Sequence, residues 1–394
     1  MKKNVAIVGG GAAALSLASF LDSSKYQTAI YEKNKALGRK FLVAGKGGFN
    51  LTHAESLDDF ISRYLPSEFL EAALRAFTNE DFRVWLTSMG IPTFVGSSNR
   101  VYPKKGIKPI EVLKTIEKAM ANNWVEVHFE KTWTGWNDSK ALTFHDGTTA
   151  FADIVVFALG GGSWKIAGSD GTWLKHFKEK GINTVDFEAS NCAFQVNWEK
   201  EIVQKFVGNP LKNISISCHG ETKKGEVVLT KFGLEGNAIY ALSAPIRKQL
   251  TSGKAEIFVD FKPNLTAEVL LDKATTSNAK NTTDFLKNDL KLSALQLSLI
   301  KHYLTKEEFI HSQKLINKLK HFSLKIESIA ELDEAISTVG GIDLTELSPE
   351  FELIQLPNTF CIGEMSNWDA PTGGYLLQAC FSMGYFLANQ LNNR

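Results

Sequence analysis

The stretch NVAIVGGGAAALSLASFLDSSKYQTAIYEKN, residues 4–34, decides the fold. It reads as strand, tight turn, helix, strand. Residues 5–8, Val-Ala-Ile-Val, form a short apolar run that suits a buried strand. Gly9, Gly11 and Ala14 follow as G-x-G-x-x-A. The first glycine permits a tight turn, the second lets a pyrophosphate approach the backbone, and the small third residue lets helix and strand pack closely. Ala12 and Ala13 open the helix, whose free N–H groups and positive dipole end face the same phosphates. A second strand, over residues 28–31, ends at Glu32, about 20 residues past the loop. A carboxylate there accepts hydrogen bonds from the ribose hydroxyls of an adenosine and repels a 2′-phosphate. The alternative is a glycine-rich turn without a ligand. The strand, helix and acid in register favour a dinucleotide, either NAD or FAD, and the residues after Glu32 choose between them.

Those residues include a second glycine-rich loop, GRKFLVAGKGGFNLTH, residues 38–53. Arg39 and Lys40 can neutralise pyrophosphate charge, with Lys33 beside the ribose acid. Gly45, Gly47 and Gly48 allow close backbone approach, and Asn50 and Thr52 can hydrogen-bond ribityl or flavin-edge atoms. The competing reading is a solvated loop with incidental basic residues, Lys40 and Lys46 above all. The order G-R-K, glycine cluster, N-x-T resembles the bacterial aminoacetone-oxidase-like (BaiN-like) FAD-binding family, within the two-dinucleotide-binding-domain flavoproteins. ALGGGSWKIAGSDG (158–171), STVGGIDLTEL (337–347) and CIGEMSNWDAPTGGYLLQA (361–379) resemble the family's later blocks in the same order. The likeness spans nearly the whole chain, more weakly over 190–335. Many members carry G-G-G-R-C-N in the second loop. This chain has Gly45-Lys46-Gly47-Gly48-Phe49-Asn50, which marks a variant branch.

The resemblance implies FAD, and an α/β fold with a Rossmann-like FAD-binding domain of the glutathione-reductase type. It also implies an inserted β-barrel plus helical domain that covers the flavin's reactive face. Residues 1–189 and 336–394 are expected to form the FAD-binding domain, and 190–335 the insertion, β-rich over 190–263 and helical over 264–335. Thr132 is expected to lend backbone groups to the adenine. Ala158, Gly160 and Gly161 follow a strand, at the carboxyl edge where α/β sheets bind ligands. The block GSDG, with Asp170, is implied beside the flavin. Gly363 and Glu364 are implied at the ribityl chain and pyrophosphate, and Asp369 at ribityl hydroxyls. Gly373 and Gly374, followed by Tyr375 and Leu376, start a helix whose free N–H groups suit the flavin's N1–C2=O edge.

Elsewhere the chain carries organisation more than chemistry. Residues 55–121 have apolar residues at helical spacing, with Asn79 a candidate cap before Glu80-Asp81. Arg100, Lys104, Lys105 and Lys108 make a small basic cluster, either a solvated bend or a contact for an anionic substrate or NAD(P)H phosphate. WVEVHFE (124–130) reads as a strand and Asp146-Gly147 as a hairpin turn. NISISCHG, GEVVLT and AEIFVDF alternate as strands of an antiparallel sheet or barrel do.

Composition bounds the function. A formal charge of +1 over 394 residues gives no general case for nucleic acid or an anionic membrane. The four cysteines form no CxxC, which argues against a zinc site or dithiol pair and for a reducing cytoplasm. MKK before an apolar run superficially resembles a signal peptide, but three glycines break the run. No apolar run reaches the roughly 18 residues of a membrane helix. No metal site is expected. The expectation is an FAD-dependent oxidoreductase acting on a small molecule. No second G-x-G-x-x-G appears, so NAD(P)H or oxygen would meet the flavin directly. A flavin-dependent nucleic-acid-modifying enzyme and a flavin-binding protein without its own substrate are the alternatives. His53, His176, His219 and Tyr375 are acid–base candidates by chemistry type, His53 and Tyr375 first because they adjoin the flavin-contacting loops.

Overall fold

The structure, a computed structural model, describes residues 1–43 and 48–394. It divides into two units, one of residues 1–189 and 332–394, the other of residues 190–331.

The first unit is built on a five-stranded sheet: β1 (Lys3–Val8), β2 (Tyr26–Tyr31), β3 (Glu126–His128), β4 (Ile154–Phe157) and β5 (Thr359–Cys361). Their order is β5-β4-β1-β2-β3, and every neighbouring pair is parallel. The last four residues of β1 are buried, as expected for a strand covered on both faces. From β1 the chain builds outward first to one side and then to the other. The reversal point therefore lies between β1 and β4, and α/β sheets bind ligands at the carboxyl ends beside such a point.

Helix α1 (Ala12–Phe20) follows β1, and α2 (Tyr375–Asn392) closes the chain. Residues 13–18 of α1 are all buried, so this helix is a core element rather than an amphipathic one. Gly384 makes the contact with α2 close: a Cβ there would sit 2.7 Å from the Ala13 carbonyl oxygen and the Leu17 nitrogen. Ser16 Oγ donates to the Phe381 carbonyl at 2.7 Å across the same buried seam.

Two small antiparallel sheets flank this core. One joins Thr52–His53, Arg100–Pro103 and Thr93–Val95, and it pairs Thr52 with Val101 and His53 with Arg100. The other joins Trp133–Trp136, Leu142–Phe144 and Thr149–Ala150, with Gly147 in the turn expected at Asp146-Gly147.

In the second unit, six strands pair in the order Phe194–Gln195, Gly233–Glu235, Glu221–Leu229, Pro210–Cys218, Ala255–Asp260, Phe322–Ile326. The chain beyond Ile326 then returns to the first strand. Gln195 N donates to the Ser328 carbonyl at 2.8 Å, and Glu327 N to the Gln195 carbonyl at 3.0 Å. These bonds close the sheet on itself as a barrel, which removes both open edges. Phe322–Ile326 corrects the expectation of a wholly helical 264–335 segment. Its alternating burial, with Phe322, Leu324 and Ile326 inside, is a period-two strand within otherwise lysine-rich helical sequence.

Candidate cofactor and active site

The site begins where β1 ends. Gly9 leaves β1 with φ +101°, and a Cβ on it would sit 2.4 Å from the Ala158 carbonyl oxygen. The turns after β1 and β4 therefore touch through their backbones. Gly11 caps α1 with no side-chain bond, and the first turn of the helix holds no acid. Among the described residues, a Cβ on Gly11 would meet nothing within 4 Å. The first amides of α1 thus have no side-chain cap from Gly11, and the positive end of the helix dipole lies with them.

Glu32 is buried beside this turn. Its Oε2 accepts from Gly10 N at 2.7 Å, and its Oε1 accepts from Asn34 N at 2.8 Å and from Asn34 Nδ2 at 2.6 Å. A carboxylate offers about four acceptor positions, so three protein donors leave room for roughly one hydroxyl. Arg39 donates to Asn34 Oδ1, and among the described residues no carboxylate pairs with its guanidinium. The adjacent cation differs. Lys40 Nζ lies 2.8 Å from Glu364 Oε2 and 3.1 Å from Ser163 Oγ. Its charge is committed to Glu364, not free for a pyrophosphate as the sequence suggested. Glu364 Oε1 in turn accepts from Thr338 N at 3.1 Å, and Thr338 Oγ1 accepts from Gly162 N at 3.0 Å. This network ties the second loop to the turns after β4 and β5. A Cβ on Gly161 would lie 2.1 Å from Thr338 Oγ1, so a side chain fills that glycine's space.

Lys33 Nζ pairs with Asp170 Oδ2 at 2.8 Å, and Asp170 Oδ1 accepts from Thr172 Oγ1 at 2.8 Å. Burial pushes the Asp170 carboxyl up, but the bonds from Lys33 and Thr172 outweigh it and hold the group below its ordinary range. The GSDG block thus sits against Lys33 and Asn34, next to Glu32. Gly160 and Gly161 carbonyls accept from Trp173 Nε1 and Ser169 Oγ. The Thr132 carbonyl is taken by His145 N at 2.8 Å within the small sheet. Gly363 lies over Ala13 in the first turn of α1, and its carbonyl accepts from Trp368 Nε1 at 2.9 Å. Asp369 is buried and bridges Leu65 through its backbone. Gly45, Lys46 and Gly47 lie outside the described residues; Gly48, φ +105°, lies against the Tyr102 ring.

The start of α2 meets the end of the second loop. Gly374 has φ +102°, and a Cβ there would lie 2.6 Å from the Thr52 Cα. Thr52 is fully buried, and neither its Oγ1 nor the buried Asn50 Oδ1 has a hydrogen-bond partner among the described residues. Leu376 follows in the first turn of α2. Tyr375 is buried, and its hydroxyl donates to Glu55 Oε1. Arg63 grips the same carboxylate, with Nη2 2.7 Å from Oε2. His53 stacks on Tyr375 at 5.2 Å between ring centroids. Burial pushes the Tyr375 hydroxyl well up, and the Glu55 contact adds to it. Burial also pushes the His53 imidazole down, partly opposed by Glu55. Glu55 and Arg63 escaped the sequence reading because neither stands in a motif; the tyrosine after the glycine pair was the signal nearest to them.

Not every candidate converges here. His176 packs edge-on against Trp133 near Glu179, and His219 is exposed in the turn between two barrel strands. The basic cluster divides: Arg100 is half-buried opposite His53, while Lys104, Lys105 and Lys108 are exposed.

The residues present fit a dinucleotide. An acid-free helix N-terminus lies beside the buried Glu32 carboxylate, Arg39 has no carboxylate partner among the described residues, and Asn50 Oδ1 and Thr52 Oγ1, without a partner among those residues, lie at the loop's far end. The family described as HI0933-like protein Rossmann domain matches residues 3–390. The chain belongs to this family. Its members are the aminoacetone-oxidase-like (BaiN-like) FAD-binding flavoproteins, and the chain is accordingly an FAD-dependent oxidoreductase with a Rossmann-like fold. It is similar to a 3-dehydro-bile acid delta(4,6)-reductase of Clostridium scindens, 25% identical over 97% of each chain. It is also similar to a ribosomal RNA dihydrouridine synthase of Haemophilus influenzae, 22% identical over 98% of each. Among solved structures it resembles a 3-ketosteroid delta1-dehydrogenase from Sterolibacterium denitrificans, with TM-score 0.49 and 12% identity over 100% of this chain and 99% of that one. Among the described residues no helix is long and apolar enough to cross a membrane.

Proposed function

We propose that this flavoprotein reduces a carbon–carbon double bond conjugated to a carbonyl in a small molecule, by hydride transfer through FAD. The observation that carries the cofactor's placement is the open, acid-free N-terminus of α1 beside Glu32 at the carboxyl ends of a parallel sheet. Support for the reaction comes from two relatives that align over nearly the whole chain, whose names both describe hydrogen added to a ring double bond. When bound, FAD supplies the hydride.

The chain's own groups then have distinct tasks. Glu32 would hold the adenosine ribose. The α1 amides and Arg39 would hold the pyrophosphate, and Gly160, Gly161 and Gly363 would line its path. Asn50 and Thr52 offer their unpartnered oxygens to the ribityl or flavin edge. The amides after Gly373 and Gly374 would meet the flavin's N1–C2=O edge, where the positive end of α2 would favour negative charge. NAD(P)H would be the electron donor; oxygen, an acceptor, would only compete with the substrate for the reduced cofactor.

The test is anaerobic mixing of the holoenzyme with NADH or NADPH, followed by a panel of enones. Loss and then recovery of the flavin's visible absorbance is expected. Peroxide formation with amines, and no recovery with enones, would overturn the reductase assignment. The relative named for ribosomal RNA favours a second reading, reduction of a base in RNA, with the exposed Lys104, Lys105 and Lys108 as a phosphate contact. Recovery with ribosomal RNA and with no enone would select it. Recovery with neither would favour a flavin carrier without its own substrate.

A further inference from the structure

Building on the flavin placement proposed above, we propose that Arg100 and the start of α2 form a binding site for one negative charge carried on hydrogen-bond acceptors. Two sources share that chemistry: a carboxylate on the substrate, and the N1–C2=O side of a reduced flavin. Arg100 opens the middle strand of the small sheet and pairs there with His53. Its Nε lies 3.5 Å from the place a Cβ on Gly373 would take, and Tyr375 Cε2 lies 3.4 Å from the same place. The guanidinium therefore lies against the glycine pair itself, and the missing side chain keeps that approach open. Among the described residues, no carboxylate pairs with Arg100 and its side chain makes no hydrogen bond. A guanidinium stays charged and only donates. Half-buried, this one has lost part of its hydration without gaining a counter-charge.

The neighbours show why Arg100 is the charge left over. The charged groups around His53 are Glu55, Arg63 and Arg100. Glu55 is already taken. Arg63 Nη2 lies 2.7 Å from its Oε2, Arg63 Nε lies 3.2 Å from its Oε1, and the Tyr375 hydroxyl donates to Oε1. Burial pushes the His53 imidazole down, so it adds no charge near neutral pH. One acid and two arginines leave a surplus of one positive charge. Helix α2 adds to it. This 18-residue helix is capped by Gly374 without a side-chain bond, and its first turn holds no acid. Its positive end is therefore uncompensated by its own residues. Thr52 gives an independent sign of a missing ligand. It is fully buried, its backbone packs where a Cβ on Gly374 would be, and its Oγ1 has no partner among the described residues. Buried hydroxyls are nearly always hydrogen-bonded once a site is complete.

An arginine, a helix N-terminus and a residue with an unpartnered buried hydroxyl thus meet around Gly373 and Gly374, and one anion would complete them. A carboxylate would accept two parallel N–H bonds from the guanidinium, a geometry that lysine cannot copy. On a substrate, it would select an acid over the neutral analogue. Charge on the reduced flavin would instead be stabilised, which makes the cofactor easier to reduce. The proposal is one of binding, and no bond is made or broken.

Two measurements on the holoenzyme test the site and separate the sources. Dye equilibration gives the flavin's midpoint potential in wild type, Arg100→Gln and Arg100→Lys. Benzoate and benzamide, alike in shape and different in charge, are titrated into the oxidised holoenzyme and read by the change in flavin absorbance. If the substrate brings the charge, wild type should bind benzoate about tenfold tighter than benzamide. Arg100→Gln should then bind the two alike, Arg100→Lys should fall between, and the potential should stay unchanged. If the reduced flavin brings it, Arg100→Gln should lower the potential by about 30 mV, a tenfold change for a two-electron couple, and benzoate should gain nothing over benzamide. FAD content near the wild-type level shows that each variant is folded. Lys114→Gln removes an exposed charge on the helix Pro109–Asn122 and should move neither reading. A shift there as large as in Arg100→Gln would make the effect one of net charge and overturn the site. Unchanged potential together with an unchanged benzoate-to-benzamide ratio in Arg100→Gln would also overturn it. Neither measurement uses an enone, so reduced holoenzyme that reacts with no enone would sink the double-bond reading and leave the anion site standing on these two readings.

Discussion

Glu32 and His53 show how single residues carry this site. Glu32 accepts three hydrogen bonds from the chain, which leaves its carboxylate room for about one more donor. Glu32→Gln removes the charge and turns acceptor geometry into a mixed donor and acceptor. The expected loss is about 1.5 kcal/mol, or roughly tenfold in FAD affinity, with the fold intact. Fluorescence titration of FAD into apoprotein reads it, and unchanged affinity would remove Glu32 from the ribose. His53 gives a pH prediction. Burial, more than any neighbour, depresses its proton affinity in the folded state. The unfolded chain therefore binds the proton better. The stability tied to neutral His53 is complete above the ordinary histidine range and is lost as pH falls through the lower folded value. His53→Gln should show a smaller drop in urea midpoint than wild type between about pH 7 and about pH 5. Parallel drops in both proteins would contradict that sign.

Elements impose the next constraints. Gly374 sits at φ +102° with the Thr52 backbone where its Cβ would be. Gly374→Ala combines left-handed strain with a backbone clash and should cost at least about 2 kcal/mol, read as a lower denaturant midpoint. A neutral result would mean that the start of α2 can shift away from the loop. Helix Asn79–Ser88 is capped by Thr78, which forms a reciprocal box with Asp81. Thr78→Ala should cost about 1 kcal/mol in the same assay. The sequence expectation placed this cap one residue later, at Asn79. The T-x-x-D spacing was readable, but Asn79's work, holding the His53 and Glu55 carbonyls, depends on a loop more than 20 residues away. Phe322–Ile326 was missed for a related reason: five residues of alternation carry little weight inside a helical, lysine-rich context.

On the scale of the molecule, the cofactor should be part of the fold's stability. A ligand that binds only the folded state adds about 2.7 kcal/mol at a hundredfold excess over its Kd. Removal of FAD should therefore lower the thermal midpoint, and FAD titration should restore it in a concentration-dependent way. A midpoint indifferent to FAD would argue against a dinucleotide seated on α1. Through its family resemblance the sequence implied FAD; by itself it determined the βαβ start and the antiparallel character of the insertion. Each rests on local chemistry: glycine spacing, an acid at a fixed distance, and hydrophobic period. The tertiary structure alone decided which charges are free. Lys40 and Arg39 are adjacent and equivalent in sequence, yet Lys40 is paired with Glu364, 324 residues away, and Arg39 has no carboxylate partner among the described residues. It also decided barrel closure, through pairing between residues 195 and 327–328, and the gathering of Glu55, Arg63 and Tyr375. Pattern reading reaches as far as a turn or a strand; ion pairing depends on separations of a few ångströms that only the folded chain sets.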